Sequence, residues 1–318
     1  MNLASVSNLS GRAQGVLAII LQQLPLLRLA DFRPDNSTYF ANPDKDTFTS
    51  SAARAVNAAI QRDAQSPNPT AAALALYGRE ISVDDLYKQD ATVGNLSARG
   101  LLEFLDRRVA GLAVKLAQEI EVDACSGTAT ENKMLGFSEF VKDAAAGGQT
   151  ARLGFTTAEL AAMNSEVALQ LNTTANQDAF VELLMKKLAE IPGANALAMN
   201  TNLFARMTTI AKRLGAAGES VDSFGVPTNT FNGIPYAPVS TSSITQVESD
   251  GTNADCTSLY IVRFEENLGV TFSTNSGFLF TDFEDVDTKP NGVARMQMFL
   301  NLTVNKDNAF RRLSRIRL

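Results

Sequence analysis

The sequence has no histidine and no tryptophan, and only two cysteines among 318 residues. The missing histidine removes Ser-His-Asp and Cys-His catalysis, histidine-ligated zinc and any imidazole pH switch. Cys125 and Cys256 cannot build a disulfide framework and are too few for an all-thiolate metal site. Both lie in polar stretches and read as free thiols of a reducing compartment. Positive charge is also scarce: 28 Lys and Arg face 34 Asp and Glu, a net charge of −6. A chain that grips nucleic acid through a basic face needs the opposite balance. Long apolar runs are absent too. The nearest candidate, Gly15 to Leu21, is stopped by Gln22 and Gln23 and preceded only by Arg12. It falls short of the roughly 18 apolar residues a membrane span needs, and it lacks the charged start and small-residue exit of a signal peptide. The expectation is a soluble chain of cytoplasmic origin. Its length suggests two domains, or one with long extensions.

Chemical motifs are equally sparse. No GxxxxGK[ST] and no GxGxxG after a strand offers a phosphate cradle, and no GxSxG elbow is present. Carboxylates cluster twice. Asp84-Asp85 precedes a long helical pattern and reads as a turn or helix approach. Asp282, Glu284, Asp285 and Asp287 form the densest acidic run, without the spacing of an EF-hand. That run reads as a solvated or subunit-contacting loop. Neither a metal nor a cofactor is expected. An enzyme reading survives only as a carboxylate-based hydrolase with a pocket around Asp84 or Asp282.

What is present is order along the chain. Residues 1–30 read as an extended arm with a short helix. Residues 31–90 carry turn signals at Arg33-Pro34-Asp35-Asn36, Asn42-Pro43-Asp44 and Ser66-Pro67-Asn68-Pro69, with short strands between them. A two-stranded projection fits, and a lone hairpin is marginal in water. Leu24, Leu26, Leu27, Leu29, Phe32, Phe40 and Phe48 therefore need cover, from the rest of the chain or from a neighbouring copy. From Asn95 to Asp123 the apolar residues Leu102, Leu105, Val109, Leu112, Leu116 and Ile120 recur at helical spacing, giving a rod roughly 40 Å long at about 1.5 Å per residue. The same spacing predicts a helix from Thr157 carrying Leu160, Met163, Val167 and Leu171. It predicts another capped by Asp178 and stopped by Pro192-Gly193, and a third from Asn200 to Gly215. Ala196 to Met199 reads as a short buried strand, and Gly225 to Ser240 as extended chain.

The last third is strands. Leu259–Phe264 and Leu268–Ser273 are expected to be joined by a Glu-Glu-Asn turn, with Phe278–Glu284 next. Residues 293–304 alternate for twelve positions, with Ala294, Met296, Met298, Leu300, Leu302 and Val304 on one face. The end of the chain holds its one basic concentration: Lys306, Arg311, Arg312, Arg315 and Arg317 against Asp307, a net +4 over the last thirteen residues. It either meets nucleic acid or, as the interleaved Phe310, Leu313, Ile316 and Leu318 favour, closes a sheet with its arginines in ion pairs. The class is α+β, with helices and strands largely segregated.

In this order the chain resembles the major capsid proteins of tailed bacteriophages, those with the HK97-type fold. Glu119-Ile-Glu-Val-Asp-Ala-Cys-Ser-Gly127 followed by Leu135-Gly136-Phe137 looks like the end of that family's spine helix and the loop after it. Ala196-Leu-Ala-Met-Asn200 looks like a strand-helix step in its axial domain. Phe231-Asn-Gly-Ile-Pro-Tyr-Ala-Pro-Val239 is similar to its G-x-P-V strand, and Tyr260–Phe264, Leu268-Gly-Val270 and Asn308-Ala309-Phe310 also fit. The likeness runs from about residue 80 onward and rests on the order of motifs rather than on any one of them.

The resemblance implies an N-terminal arm (1–30), an extended loop lying over an adjacent subunit (31–90), a peripheral domain with the spine helix (91–150 and 255–318), and an axial domain (150–255). It implies a non-enzymatic subunit of hexamers and pentamers in an icosahedral head, assembled in the bacterial host cytoplasm and enclosing double-stranded DNA that it touches weakly. Scaffold, portal and decoration proteins are possible partners. A nanocompartment (encapsulin-like) shell is the alternative with the same fold. Candidate intersubunit contacts are Phe32, Phe40, Lys45, Phe48, Asp282, Glu284, Asp285, Arg311 and Arg312. Some members weld subunits through a Lys–Asn isopeptide bond. Lys45 is the only lysine before Lys88, but no Asn or catalytic carboxylate is identified for it.

Overall fold

The computed structural model describes residues 17–18, 20–21, 24–35, 40–41, 72–84, 98–129, 133–143, 148–221, 225–275, 277–286 and 289–318, with 40–41, 82–84, 98–106, 282–286 and 289–293 as backbone only. Helix α1 is Pro25–Leu29, opened by proline at its first turn, where a missing N–H costs nothing. It leads into β1, Phe32–Pro34. Two-residue strands β2, Phe40–Ala41, and β3, Ala72–Ala73, pair antiparallel. The long strand β4, Ala75–Asp84, follows, and then helix α2, Ala98–Ser126. At about 1.5 Å per residue α2 is roughly 43 Å long. Its inward stripe is Val109, Ala113, Leu116, Ala117, Ile120 and Ala124.

The middle of the chain holds helix α3, Phe137–Phe140, helix α4, Thr157–Ala162, strand β5, Asn164–Glu166, and helix α5, Thr174–Ala189. Strand β6, Ala196–Asn200, precedes helix α6, Thr201–Leu214. The α6 cap is as expected: Asn200 Oδ1 accepts from Leu203 N at 2.8 Å, and Gly215 closes the helix in the left-handed region at φ 68°, where glycine pays no Cβ penalty. Strands β7, Ala217–Val221, β8, Pro227–Phe231, and β9, Ile234–Val239, make a meander. The C-terminal strands are β10, Cys256–Val262; β11, Val270–Thr274; β12, Phe278–Val286; β13, Lys289–Val304; and β14, Phe310–Arg317.

Two sheets organise these elements. One has β13 at its centre. β12 lies along one edge, β4 along the other, and β11 continues the β12 edge towards β1. The other has the order β5-β14-β10-β6-β9-β8-β7. Its central strands are buried on both faces and separate two cores. Ala196 and Ala198 of β6, Tyr260 and Val262 of β10, and Phe310 of β14 face the core shared with α2, β11, β12 and β13. Their neighbours Leu197, Met199, Leu259, Ile261 and Leu313 face the core closed by α5 and α6, through Phe180, Leu184, Leu203, Met207 and Ile210. A strand covered on both sides reads as a continuous apolar run rather than an alternation, as Ala196 to Met199 does.

Of the two covers open to the arm, the chain supplies its own: Leu17, Ile20, Leu21, Leu24, Leu26 and Leu27 are buried in its first core. Other expectations change. The helix from Thr157 ends at Ala162, after a capping box between Thr156 and Glu159. Val167 and Leu171 are buried along an extended path in which β5 pairs parallel with β14. The α5 cap is Thr173, whose side chain accepts from Asn176 N. Asp178 instead lies inside the helix, in an ion pair with Arg213. The turn expected between β10 and β11 is present, and it carries the chain from one sheet to the other, with Val270 N donating to Arg263 O at 2.8 Å.

Gly111 sits midway along α2, exposed, and a Cβ there would meet nothing within 4 Å. Glycine inside a helix costs about 0.5–1 kcal/mol relative to alanine. Gly111→Ala is therefore expected to raise stability by about that amount in urea titration, with the slope unchanged.

Candidate interaction surfaces

The C-terminal arginines are spent inside the subunit. On β14, Arg311 reaches Glu190 at 3.1 Å and Arg317 reaches Asp255 at 3.2 Å. Arg315 bridges Asp143 at 3.1 Å and Glu166 at 2.8 Å. Arg312 is buried, donates to Glu248 at 2.6 Å, to Ser258 Oγ at 3.0 Å and to Val141 O at 2.6 Å, and stands 5.7 Å over the Tyr260 ring. The basic run of the sequence is thus a neutralised strand that holds loops to the central sheet, and not a surface for phosphates. Arg312 has no surface left for another copy, and the same holds for Phe32, fully buried and stacked on Phe272 at 5.8 Å. These two are corrected from intersubunit contacts to core residues. The reason is that each has a non-local partner, β11 for Phe32 and the Glu248 loop for Arg312, that periodicity does not reveal.

The remaining expected contacts are distributed. Phe40 lies in the β2–β3 pair, and Lys45 and Phe48 fall outside the described residues. Asp282, Glu284 and Asp285 are on β12, with Glu284 opposite Val293 and Asp285 opposite Gly292 on β13. The structure does not bring these residues together with Arg311.

A polar cleft of about 1010 Å³, which the sequence reading missed, lies between β4 and the second half of α2. It is walled by Leu76 to Arg79, Lys115, Glu119, Glu121, Asp123, Lys133 and the turn at Ser240 and Ser242. Tyr77 OH donates to Asp123 Oδ2 at 2.9 Å and accepts from Met134 N at 3.2 Å, and burial pushes its hydroxyl pKa up. Arg79 pairs with Glu119, and Lys133 with Asp123 at 3.5 Å. Nothing in the periodicity of β4 or α2 announces the cleft, because it forms only where the two meet.

Glu121 is buried at the back of this region and accepts from Ser243 Oγ at 3.2 Å. Burial raises its pKa above the ordinary 4.5, opposed by the Ser243 hydrogen bond and one from the Ser240 backbone. A carboxyl with a raised folded pKa contributes stability that is complete below its unfolded pKa and is lost as pH rises through the folded one. Glu121→Gln copies the protonated form. Its melting temperature is expected to exceed that of the wild type at pH 8 and to coincide with it at pH 4. Equal melting temperatures at both pH values would show that burial does not penalise the charge.

No protein-family model matches the chain, and no curated protein matches it in sequence. Solved structures do. The capsid of cyanophage A-1(L) is similar at a TM-score of 0.62 and 10% identity, covering 93% of this chain and 93% of that one. The capsid of an empty GTA particle is similar at 0.58 and 16%, covering 92% and 90%. The holo-SrpI encapsulin complex from Synechococcus elongatus PCC 7942 is similar at 0.55 and 13%, covering 92% and 86%. The α+β architecture described above is the HK97-type fold.

Proposed function

We propose that this chain is the major capsid protein of a tailed-phage head, assembling through hexamers and pentamers into an icosahedral shell around double-stranded DNA in the bacterial host cytoplasm. The observation that carries the reading is the likeness to capsid structures over 93% and 92% of the chain. The charge pattern supports it. The chain carries −6 overall, and the arginines of β14 are held in internal ion pairs, so the subunit is a poor adhesive for packaged DNA. On this reading residues 31–90 include the loop that lies over a neighbour, apart from β1 and β4, which belong to the subunit's own sheet; residues 91–150 and 255–318 serve as the peripheral domain, and 150–255 as the axial domain. Scaffold, portal and decoration proteins are partners of this reading. A nanocompartment shell is the second reading, favoured by the encapsulin likeness at comparable coverage.

Light scattering and cryo-microscopy of the purified chain test this. Closed icosahedral particles are the expected result. Nuclease-protected duplex DNA inside supports the phage head, and an enclosed enzyme supports the nanocompartment. Monomers under all assembly conditions overturn both.

A further inference from the structure

Among the described residues the ribbon around β13 has two open edges. Gln297 of β13 is paired on one side with Gly78 of β4 and on the other with Leu279 of β12, so β4 and β12 lie on opposite edges. Among the described residues no strand pairs with the outer edge of either. β4 offers ten residues and β12 nine. Long open edges are templates for strand addition, and folded proteins usually cover them. Leu76 on β4 is 50% exposed and Leu279 on β12 is 40% exposed, apolar surface that an isolated subunit leaves wet. The polar cleft described above runs beside the β4 edge. There Lys115 is exposed and has no ion-pair partner among the described residues, whereas β12 carries Asp282, Glu284 and Asp285.

We propose that β12 of one copy adds to the open edge of β4 of the next, extending the ribbon from subunit to subunit. The inference rests on the shell reading and names the partner of its ribbon. Strand lengths match, and among the described residues both edges are open. The occupant is a second copy and not the chain's own β12, because β13 stands between the two. β4 and β12 each run antiparallel to β13, so they run parallel to one another. A copy displaced sideways therefore presents its β12 parallel to β4. That contact is heterologous: each subunit gives one edge and receives on the other. Repetition closes into rings when the rotation allows it, with the backbone supplying affinity as in other strand additions.

Disulfide trapping tests this. Leu76→Cys, Gly78→Cys or Glu80→Cys on β4 is combined with Leu279→Cys or Thr281→Cys on β12, all at exposed positions. Gly78 has room, since a Cβ there makes only ordinary contacts, the nearest at 3.6 Å. The native thiols Cys125 and Cys256 are buried. Within one chain, β4 and β12 are two strand spacings apart, about 9.5 Å, beyond the roughly 7 Å Cα separation a disulfide tolerates, so any bond formed joins two copies. Each variant is first matched to the wild-type unfolding midpoint, and the range of pairs keeps the test decisive if one fails to fold. After assembly and oxidation, at least one pair is expected to give a ladder of covalent multimers beyond the dimer on a denaturing gel, with single-cysteine variants giving none. Assembled particles in which every pair stays uncross-linked, or stops at dimers, overturn this proposal and leave the shell reading standing. A wild-type chain that never assembles overturns both.

Discussion

Gly136→Ala is expected to cost about 3 kcal/mol or more of stability. The chain leaves α2 at Ser126, turns back, and crosses itself where Gly136 N donates to Gly127 O at 2.9 Å. A Cβ on Gly136 would overlap Gly127 N and lie 2.7 Å from both Asp123 O and Ser126 N. All three are backbone atoms of the helix end and its cap, and none can swing away as a side chain would. Gly127 has the same constraint from the other side, with Met134 O and Asp123 O in the way. Beyond the crossing, Phe137 and Phe140 pack on Phe310 at 5.3 and 5.7 Å, and Phe137 on Tyr260 at 5.6 Å. A shifted crossing therefore displaces α3 from the core under β10 and β14. Overpacking typically costs 1–3 kcal/mol and more where nothing can relax, so a loss of about 3 kcal/mol or more is expected for Gly136→Ala and for Gly127→Ala. Urea titration of the soluble fraction measures it, with Gly111→Ala as the control in which alanine is welcome. A Gly136→Ala chain with the wild-type midpoint would show that the crossing is looser than described.

Arg312→Met is the second large effect. The guanidinium is always charged, its side chain is 4% exposed, and it ties together four pieces of chain: β14, the Glu248 loop, β10 through Ser258 and the end of α3 through Val141 O. Removing it leaves Glu248 without its cation in a largely enclosed place. Breaking a buried ion pair on one side costs about 3–5 kcal/mol, and that is the loss expected for Arg312→Met. Arg312→Lys is expected to restore little, because an ammonium does not reproduce the planar fork that reaches three acceptors. Arg312→Met with Glu248→Gln is expected to recover part of the loss, with a coupling of about 0.5–3 kcal/mol. A loss below about 1 kcal/mol for Arg312→Met, or strict additivity in the double variant, would show that the arginine is a bystander. On the shell reading, Arg312→Met particles should also fail to form at temperatures where the wild type assembles.

The local signals were legible where one element carries its own pattern. The stripe from Val109 to Ile120, the alternation from Ala294 to Val304 and the Asn200 cap each record the geometry of a single helix or strand. Gly127 and Gly136 stood out in sequence as members of a motif, but the cause, a backbone crossing without room for a Cβ, needed both segments in place. The run from Thr157 to Leu171 misled for the converse reason. Its helical spacing is genuine, yet Val167 and Leu171 are buried by pairing with the chain's last strand rather than by a helix face. Of the expected contact residues, Phe32 and Arg312 carried the right chemistry for burial or pairing and were assigned to the wrong molecule.

The sequence by itself removed histidine catalysis and histidine-ligated zinc, and determined the α+β class, the long helix and the long strand, because composition and periodicity are local properties. Only the tertiary structure decided that the central sheet is buried on both faces, that the N-terminal leucines lie inside their own subunit, and that β4 and β12 are edge strands among the described residues. Those outcomes depend on which distant segments compete to cover the same apolar surface, and that competition is settled by packing in three dimensions.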